Sequence, residues 1–355
     1  MRRGLTTLVL GIMTAACAGP PSATSSASLS STPAPCPATA ASTGSSTTAP
    51  PARGYHQMFS LGPNGGVVVL GGETAPPRFG GRVLLDLWGY RPANGWIQLA
   101  PQTARTSDGP AVFDVASNRL IILGVLDQNV KSSAQNWIYD PTTDTATKKN
   151  PGNRPEISIR DFTMAYDAAS DRAILYTVAG ETWAYDSDRD AWAKRTPKSH
   201  PNASVWYAMA YDESQDKVVL FGGLTPDTDK ELAETWTYDY RTDTWKKMSP
   251  AKSPPARHYS AMAYDATSLR TILFGGVGAG GAEKPLCDTW AYDLTKDTWT
   301  QLPPSTRPTA RGWHAMAFDH AVGKIVLFGG GPDRNRFQHD TWLFDSRTED
   351  WERRP

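Results

Sequence analysis

Three aspartates alternate near the middle of the chain, at Asp186, Asp188 and Asp190, in the pattern that opens a calcium-binding loop. The glycine and the distant glutamate that complete an EF-hand loop are missing. We therefore interpret these residues as an ordinary turn, in which Asp side chains accept hydrogen bonds from their own backbone. The chain also lacks GxSxG, HExxH and CxxC motifs, and its six histidines are scattered. The sequence thus predicts no catalytic residue, no metal site and no cofactor.

Arginine and histidine recur beside aromatic residues. Arg53 precedes His56 by three residues, Arg311 precedes His314 in the same way, and Arg257 occupies the matching place in a third segment. Aromatic rings beside such groups suit stacking on a sugar or anchoring a peptide. The candidate ligand-binding residues are Arg53, Tyr55, His56, Trp206, Tyr207, Arg257, His258, Tyr259, Arg311, Trp313 and His314. Two alternatives stay open: the Arg and His side chains hydrogen-bond a neighbouring part of the fold, or the rings fill a central funnel.

The segment from Arg257 to Leu302 shows which elements position these residues. It contains RHYSAMAYD, TILFGG, DTWAYD and DTWTQL, four apolar runs bounded by Gly, Pro, Asp or Ser. Such runs predict four short antiparallel strands, here called A to D. The same order recurs at 205 to 245 and 311 to 351, and weaker copies begin near Arg53, Arg105 and Arg160. The sequence therefore contains six copies of one four-stranded unit.

A period of about 50 residues with a Gly-Gly pair and a later Trp resembles the kelch repeat. The resemblance covers Arg53 to Pro355 and extends to the superfamily that includes the central domain of galactose oxidase. It implies an all-β fold, a six-bladed kelch-type β-propeller with four antiparallel strands in each contiguous blade. Some propellers of this kind are carbohydrate-active enzymes, and an exported sialic acid mutarotase is the alternative function that it implies. A copper oxidase is not expected, because the only cysteine of the repeats, Cys287, lies in a loop between strands B and C.

The thirteen tryptophans support this repeat pattern. Strand C carries Trp88, Trp137, Trp183, Trp236, Trp290 and Trp342, and strand D carries Trp96, Trp192, Trp245, Trp299 and Trp351. We interpret them as packing residues between blades. Repeat 2 has Thr145 where the strand D tryptophan belongs, and repeat 3 has Tyr176-Thr177 in place of the glycine pair. We expect the other glycine pairs to take a positive φ or to allow the close approach of a neighbouring side chain.

The N-terminal segment differs in kind from the repeats. Residues 1–16 contain two arginines followed by an apolar run, which predicts a signal peptide. The run is shorter than the roughly 20 residues that a membrane-spanning helix needs. It ends in TAAC, which resembles a bacterial lipobox and implies a lipid on Cys17. Ordinary cleavage after Ala18, followed by secretion in soluble form, is the alternative.

Residues 17–52 are expected to be a disordered tether, because almost all of them are Ala, Gly, Pro, Ser or Thr. The propeller of residues 53–355 would then sit outside a bacterial cell, held to the outer face of the membrane only through the lipid anchor. Cys36 and Cys287 form an even pair, so a disulfide between them is one possibility in an oxidising compartment. The formal net charge of zero argues against nucleic acid as a partner. We expect a monomer that binds an extracellular protein or a glycan.

Strand parity predicts which face of the propeller binds. The B to C loops, the D to A loops and the starts of strands A share one face, the loop face. The short A to B and C to D turns share the opposite face, the turn face. The turns are nearly uniform, whereas the B to C loops diverge, as in Glu73–Leu85, Gly124–Gln135, Leu224–Ala233, Val277–Cys287 and Gly331–His339. Divergent loops on a rigid scaffold are typical of recognition surfaces. The sequence therefore predicts a binding module that uses its loop face.

Overall fold

The computed structural model of the chain describes residues 36–37, 49–62, 65–75, 80–99, 109–124, 135–143, 145–156, 163–278 and 284–355. The predicted signal peptide, Cys17, most of the predicted tether and the starts of repeats 2 and 3 near Arg105 and Arg160 lie outside these residues. No α-helix occurs in the described part. That part accordingly offers no helix with the length and hydropathy to cross a bilayer.

Each repeat of the chain builds one four-stranded sheet. The strands of sheets 1 to 3 are, four to a sheet, β1 (Gln57–Ser60), β2 (Val67–Leu70), β3 (Leu87–Arg91), β4 (Gly95–Leu99), β5 (Ala111–Asp114), β6 (Arg119–Gly124), β7 (Gln135–Asp140), β8 (Thr145–Lys149), β9 (Met164–Asp167), β10 (Arg172–Tyr176), β11 (Thr182–Asp186) and β12 (Ala191–Lys194).

Sheets 4 to 6 follow the same plan, and the loops of sheets 4 and 5 contain additional short strands. Their strands, with the loop strands marked, are β13 (Ala208–Asp212), β14 (Lys217–Phe221), β15 (Leu224–Thr225, loop), β16 (Lys230–Glu231, loop), β17 (Thr235–Asp239), β18 (Thr244–Lys247), β19 (Arg257–His258, loop), β20 (Ala261–Asp265), β21 (Arg270–Phe274), β22 (Val277–Gly278, loop), β23 (Lys284–Pro285, loop), β24 (Thr289–Asp293), β25 (Thr298–Leu302), β26 (Ala315–Asp319), β27 (Lys324–Phe328), β28 (Thr341–Asp345) and β29 (Asp350–Arg354).

Within every four-stranded sheet the strands pair in sequence order and run antiparallel. This confirms the prediction of an all-β chain made of antiparallel four-stranded sheets. The first strands of successive sheets lie side by side, and β26 of sheet 6 lies beside β1 of sheet 1. The first strands therefore surround a common axis, and strands β4, β8, β12, β18, β25 and β29 are the outer edges.

The core of the described part consists of six apolar clusters, each at a junction between neighbouring sheets. Small and large residues alternate in the first strands, as in the Ala-Met-Ala of sheets 4 to 6. Met262 of sheet 5 shares a buried cluster with Ala208 and Ala210 of sheet 4, and Met316 of sheet 6 does the same with sheet 5. Small residues facing large ones let the strands nearest the axis pack closely.

In five of the six sheets, the strand D tryptophan forms a hydrogen bond to the preceding sheet. The Nε1 of Trp299 donates to the Oγ1 of Thr235 in sheet 4 at 2.9 Å, and the Nε1 of Trp245 donates to the Oγ1 of Thr182 in sheet 3 at 2.8 Å. The same bond is made by the pairs Trp96 and Thr341, Trp192 and Asn136, and Trp351 and Thr289. Each indole N–H is therefore satisfied although its ring is buried, as the packing interpretation requires.

The junction between sheets 1 and 2 lacks this bond. Tyr139 is opposite Ala146, just as Tyr238 is opposite Trp245 in sheet 4. Ala146, and not Thr145, therefore occupies the tryptophan position, which corrects the prediction by one residue. The acceptor position on sheet 1 holds Leu87, which has no hydroxyl group. Both partners of the bond are thus replaced at the same junction.

The glycine pairs at the ends of the second strands have positive φ values, 75° at Gly222 and 103° at Gly223. A Cβ on Gly222 would lie 2.6 Å from the carbonyl oxygen of Arg257 in the next sheet. The backbone N–H of Gly223 donates to that oxygen at 2.9 Å. Both expected reasons for glycine hold here, although the approaching group is a backbone carbonyl and not a side chain.

Cys36 and Cys287 are joined by a disulfide, with their Cα atoms 5.8 Å apart. Cys287 is buried in the cluster between sheets 5 and 6. Ala49 packs against the cluster between sheets 6 and 1. Of the predicted tether, residues 17–52, Cys36 and Ala49 thus make contacts with the sheets.

Candidate functional site

Four aromatic residues occupy one equivalent position of the repeat, two residues before the first strand of a sheet. They are Tyr55, Trp206, Tyr259 and Trp313, from sheets 1, 4, 5 and 6. Their φ angles lie between 54° and 61°, in the left-handed region that bulky residues avoid. Such conformations persist where the surrounding structure enforces them, and they cluster at functional sites. We call these four residues the aromatic belt.

Backbone hydrogen bonds join the aromatic belt from sheet to sheet. The N–H of Tyr259 donates to the carbonyl of Trp206 at 3.0 Å, and that of Trp313 donates to the carbonyl of Tyr259 at 3.1 Å. The N–H of Tyr55 donates to the carbonyl of Trp313 at 3.1 Å. The left-handed conformation directs each N–H toward the preceding sheet. The hydrogen bonds formed there offset the cost of that conformation.

The belt side chains pack on one another. The rings of Trp206 and Tyr259 are stacked with centroids 4.5 Å apart, and Tyr259 and Trp313 are 5.0 Å apart. Burial raises the pKa of the Tyr259 hydroxyl above its usual value. Trp313 is buried, whereas the other three rings are half-buried. His258 lies beside the belt, with its ring 5.6 Å from that of Trp206.

Phe337 belongs to the site although the sequence did not single it out. Its ring is 6.0 Å from that of Tyr55 and 6.4 Å from that of Trp313. A Cβ on Gly54 would lie 2.5 Å from this ring, so a larger residue there would displace Phe337. The only available signal was an aromatic residue within the divergent loop Gly331–His339.

The B to C loops lie beside the aromatic belt, and we call them the collar. In sheet 5, β19 pairs with β22 and β22 pairs with β23. In sheet 4, β15 pairs with β16. Isolated bridges join the start of the repeat to its own B to C loop in sheets 1, 4 and 6, at Gly54 and Glu73, Val205 and Leu224, and Gly312 and Gly331. The belt and these loops therefore share one face of the molecule.

Three of the predicted ligand contacts are framework residues instead. Arg53, Arg257 and Arg311 are fully buried. The guanidinium of Arg311 forms two parallel bonds to Asp340, at 2.7 and 2.9 Å, and also donates to the carbonyl of Gly329 at 2.9 Å. The other two repeat this arrangement with Asp86 and Gly71, and with Asp288 and Gly275. Their N–H groups are used within the fold, which leaves them no surface for a ligand.

His56, Tyr207 and His314 point into the junctions between sheets rather than toward the loop face. Their rings pack edge-on against Phe328, Tyr176 and Phe274 of the preceding sheet. The hydroxyl of Tyr207 donates to the carbonyl of Tyr176. Burial lowers the pKa of His314 to about 3 and that of His56 well below its usual value, with the Arg311 and Arg53 charges acting in the same direction. Both imidazoles are therefore neutral packing groups, which corrects their assignment as ligand contacts.

The aspartates considered for calcium lie in the turn between β11 and β12. Asp186 pairs with Arg172 and Arg189, and Asp190 accepts a hydrogen bond from the hydroxyl of Tyr185 at 2.7 Å. Within the described residues, no group of three or more His, Cys, Asp or Glu side chains is placed to hold a metal ion.

The repeated sheets, the glycine pairs and the belt describe a chain built from kelch repeats. A family model described as the KLHDC2/KLHL20/DRC7 Kelch-repeats domain matches residues 168–355. The chain belongs to this kelch-repeat family, as the repeat pattern predicted.

Several characterised proteins are similar to part of the chain. Mei4-dependent protein 6 of Schizosaccharomyces pombe is 25% identical over 158 residues, 41% of this chain and 22% of that protein. Dynein regulatory complex subunit 7 of Chlamydomonas reinhardtii is 33% identical over 117 residues, 32% of this chain and 10% of that protein. Kelch domain-containing protein 1 of Mus musculus is 30% identical over 125 residues, 34% of this chain and 29% of that protein. The matches thus span less than a third of each relative.

Proposed function

We propose that the chain is a six-bladed kelch propeller that binds a protein partner with the aromatic belt and the collar. The observation that carries this proposal is the belt itself: four bulky residues are held in left-handed conformations and joined by backbone hydrogen bonds. Six sheets with side-by-side first strands support the blade count. Kelch-repeat proteins generally mediate protein–protein interaction, which supports a protein as the partner.

The belt suits a peptide or loop of a partner because its rings are already ordered. Aromatic side chains supply a large contact area and lose little entropy when they are packed in advance. Tyr55, Trp206 and Tyr259 are each half-buried, so part of each ring is accessible. The collar strands of sheets 4 and 5 stand beside these rings and supply backbone edges and charged side chains such as Lys230 and Lys284. The same flat faces would also stack on a sugar ring, so glycan is the competing ligand.

The proposal includes export and anchoring by a lipid on Cys17. The signal segment of residues 1–16 and the TAAC sequence support it. The bond between Cys36 and Cys287 supports an oxidising compartment, because disulfides persist outside the reducing cytosol. Substituting Cys17→Ala should move the protein from the membrane fraction to the soluble fraction. Retention of the variant in the membrane fraction would contradict lipidation.

The binding proposal is tested by cross-linking the purified chain to intact cell envelopes and comparing variants. Trp206→Ala should lower recovery of a specific partner at least tenfold, since belt truncation removes a central aromatic anchor. The matched control is Tyr240→Ala, which removes a half-buried aromatic ring from a C to D turn on the opposite face. A glycan array run in parallel separates protein from sugar. Equal recovery with all three proteins, each confirmed to be folded, would place recognition away from the belt.

A further inference from the structure

The strand C tryptophan of five sheets donates its indole N–H to a carboxylate two residues before it in sequence. In sheet 3 the Nε1 of Trp183 donates to Glu181 at 2.9 Å, and in sheet 6 the Nε1 of Trp342 donates to Asp340 at 2.7 Å. The other three pairs are Trp88 with Asp86, Trp236 with Glu234, and Trp290 with Asp288. A hydrogen bond to an ionised acceptor is stronger than one between neutral groups. The repeat therefore uses a carboxylate to satisfy this indole.

Sheet 2 lacks this carboxylate. Gln135 occupies the position two residues before Trp137. The Nε1 of Trp137 and the Oε1 of Gln135 are both buried, and neither atom has a hydrogen-bond partner among the described residues. Buried polar groups are normally satisfied by protein, water or a ligand. Sheet 2 therefore contains an indole N–H without the acceptor that the other five sheets supply.

A lysine of the outer strand lies opposite this tryptophan. In sheets 3 and 4 the equivalent lysine forms an ion pair with the same carboxylate that accepts the indole N–H. These pairs are Lys194 with Glu181 and Lys247 with Glu234. In sheet 2 the residue opposite Trp137 is Lys148, which is exposed and forms no ion pair within the part of the chain that the structure describes. Sheet 2 thus presents both donors of this arrangement without their common acceptor.

The apolar side chains beside these two donors are only partly covered. Trp137, Ala146 and Leu99 are half-buried against the cluster between sheets 1 and 2. Ile97 is 52% exposed and lies on the same face of sheet 1 as Leu99, because side chains two residues apart on a strand share a face. Ala146 stands where the outer strands of the other sheets carry a tryptophan. Accessible apolar surface therefore adjoins the unsatisfied indole and the unpaired lysine.

We propose that the junction between sheets 1 and 2 binds an acidic side chain of a protein partner. The carboxylate of this side chain accepts the indole N–H of Trp137 and pairs with the ammonium group of Lys148, as Glu181 does with Trp183 and Lys194 in sheet 3. An apolar residue next to it in the partner covers Ala146 and Ile97. The site contains no residue of the aromatic belt, so it does not depend on what the belt binds.

The apolar contact is what favours a protein segment over a free anion. An exposed ion pair such as that of Lys148 contributes at most about 1 kcal/mol. An acidic residue with an apolar neighbour adds the burial of the Ile97 side chain, which is worth about 1 to 2 kcal/mol. Exposed apolar surface bordered by polar groups is typical of protein interaction sites. Charge and apolar surface together therefore select an acidic and apolar segment.

The test uses two matched peptides, N-acetyl-Leu-Glu-Leu-amide and N-acetyl-Leu-Gln-Leu-amide, which differ in one charge. Each is titrated into the purified, nitrogen-15-labelled chain, and the indole N–H resonance of Trp137 is followed by NMR. Trp137→Phe identifies that resonance by removing it from the spectrum. The glutamate peptide should move the resonance downfield and saturate it in the millimolar range, because a carboxylate is the stronger acceptor. The glutamine peptide and sodium acetate should bind at least fivefold more weakly.

Two variants and one control locate the binding. Gln135→Glu supplies within the chain the carboxylate that sheets 3 and 4 possess, so it should weaken binding of the glutamate peptide at least tenfold. Lys148→Gln removes the charge that the carboxylate pairs with and should weaken binding about threefold to fivefold. The control is Lys194→Gln, which removes the equivalent lysine of sheet 3, where Glu181 already satisfies Trp183. This control should bind the peptide as the parent does.

Three results would overturn the proposal. The first is an unchanged Trp137 resonance with about 20 mM glutamate peptide, a concentration at which even a millimolar ligand saturates its site. The second is equal affinity for the glutamate peptide and for sodium acetate, which would indicate a simple anion site without recognition of a protein segment. The third is parent-like binding by Gln135→Glu, which would mean that the carboxylate does not occupy the predicted position.

Discussion

The arginine that opens three of the repeats connects two sheets with a single residue. Its guanidinium bonds to an aspartate and a glycine carbonyl of its own sheet, as in Arg311 with Asp340 and Gly329. Its own carbonyl accepts the N–H of the second glycine of the preceding sheet, at 2.9 Å from Gly276 to Arg311. A fork of planar donors matches a carboxylate in a way that an ammonium group cannot.

Replacing the guanidinium group of this arginine by the ammonium group of lysine should lower stability, although the positive charge is kept. Arg311→Lys should reduce the free energy of unfolding by about 3 kcal/mol, because a buried carboxylate and a carbonyl lose their matched donors. Urea denaturation followed by circular dichroism measures the change. Arg347→Lys is the control, since Arg347 pairs with Asp345 on the surface, and it should change stability by less than about 1 kcal/mol. Equal effects of the two variants would contradict the framework role.

The buried histidines predict how stability depends on pH. The pKa of His314 is about 3 in the folded protein, and an unfolded chain restores it to about 6.5. The unfolded state therefore binds the proton first as the pH falls. Stability is complete above pH 6.5 and should decrease by about 1.4 kcal/mol per pH unit for this residue down to pH 3. Urea midpoints of the parent and of His314→Gln between pH 7 and 4 measure it, and equal slopes for both would refute it.

The sequence predicted the role of a residue well when its contacts are close along the chain, and poorly when its partner is far away in sequence. The strands and the tryptophan roles were predictable, because the apolar periods and the repeated DTW pattern are local. Whether Arg53 meets a ligand or the fold was not, since its partner Asp86 lies 33 residues away. The left-handed φ of Trp206 was also hidden, because bulky residues normally avoid that region. Phe337 gave no signal beyond its place in a loop.

The outer strand of each sheet contributes to the junction through its tryptophan rather than through its edge. Trp299 crosses from β25 to Thr235 of β17, and four other junctions have an equivalent bond. Because ring and hydroxyl are both buried, removing one partner leaves the other unsatisfied. This makes the junction suitable for a double-mutant cycle.

The cycle uses Trp299→Phe and Thr235→Val, alone and together. Each single change should lower the free energy of unfolding by about 1 to 2 kcal/mol, and the double change should lose less than the sum, with a coupling of about 1 kcal/mol. Denaturation midpoints measure the three values. A coupling near zero would mean that the indole hydrogen bond adds nothing to the packing of the ring.

At the scale of the whole molecule, one covalent bond ties the N-terminal segment to sheet 5. The disulfide links residues 251 apart in sequence. Closing so long a loop restricts the unfolded chain, so Cys36→Ser should lower the free energy of unfolding by about 3 to 5 kcal/mol. Denaturation with and without a reducing agent measures the effect, and the variant should lose its sensitivity to the reductant. Labelling of both Cys36 and Cys287 by a thiol reagent in denaturant without reductant would show that the bond is not formed.

The junction between sheets 1 and 2 differs from the other junctions in the closed hoop of sheets, because Ala146 stands in place of Trp and Leu87 in place of Thr. A closed hoop has no free end at which unfolding can start, so local opening has to begin at a junction between two sheets. The joint between sheets 1 and 2 is held by apolar contact without an indole bond. Amide hydrogens of β5 should therefore exchange with solvent sooner than those of β20 and β26.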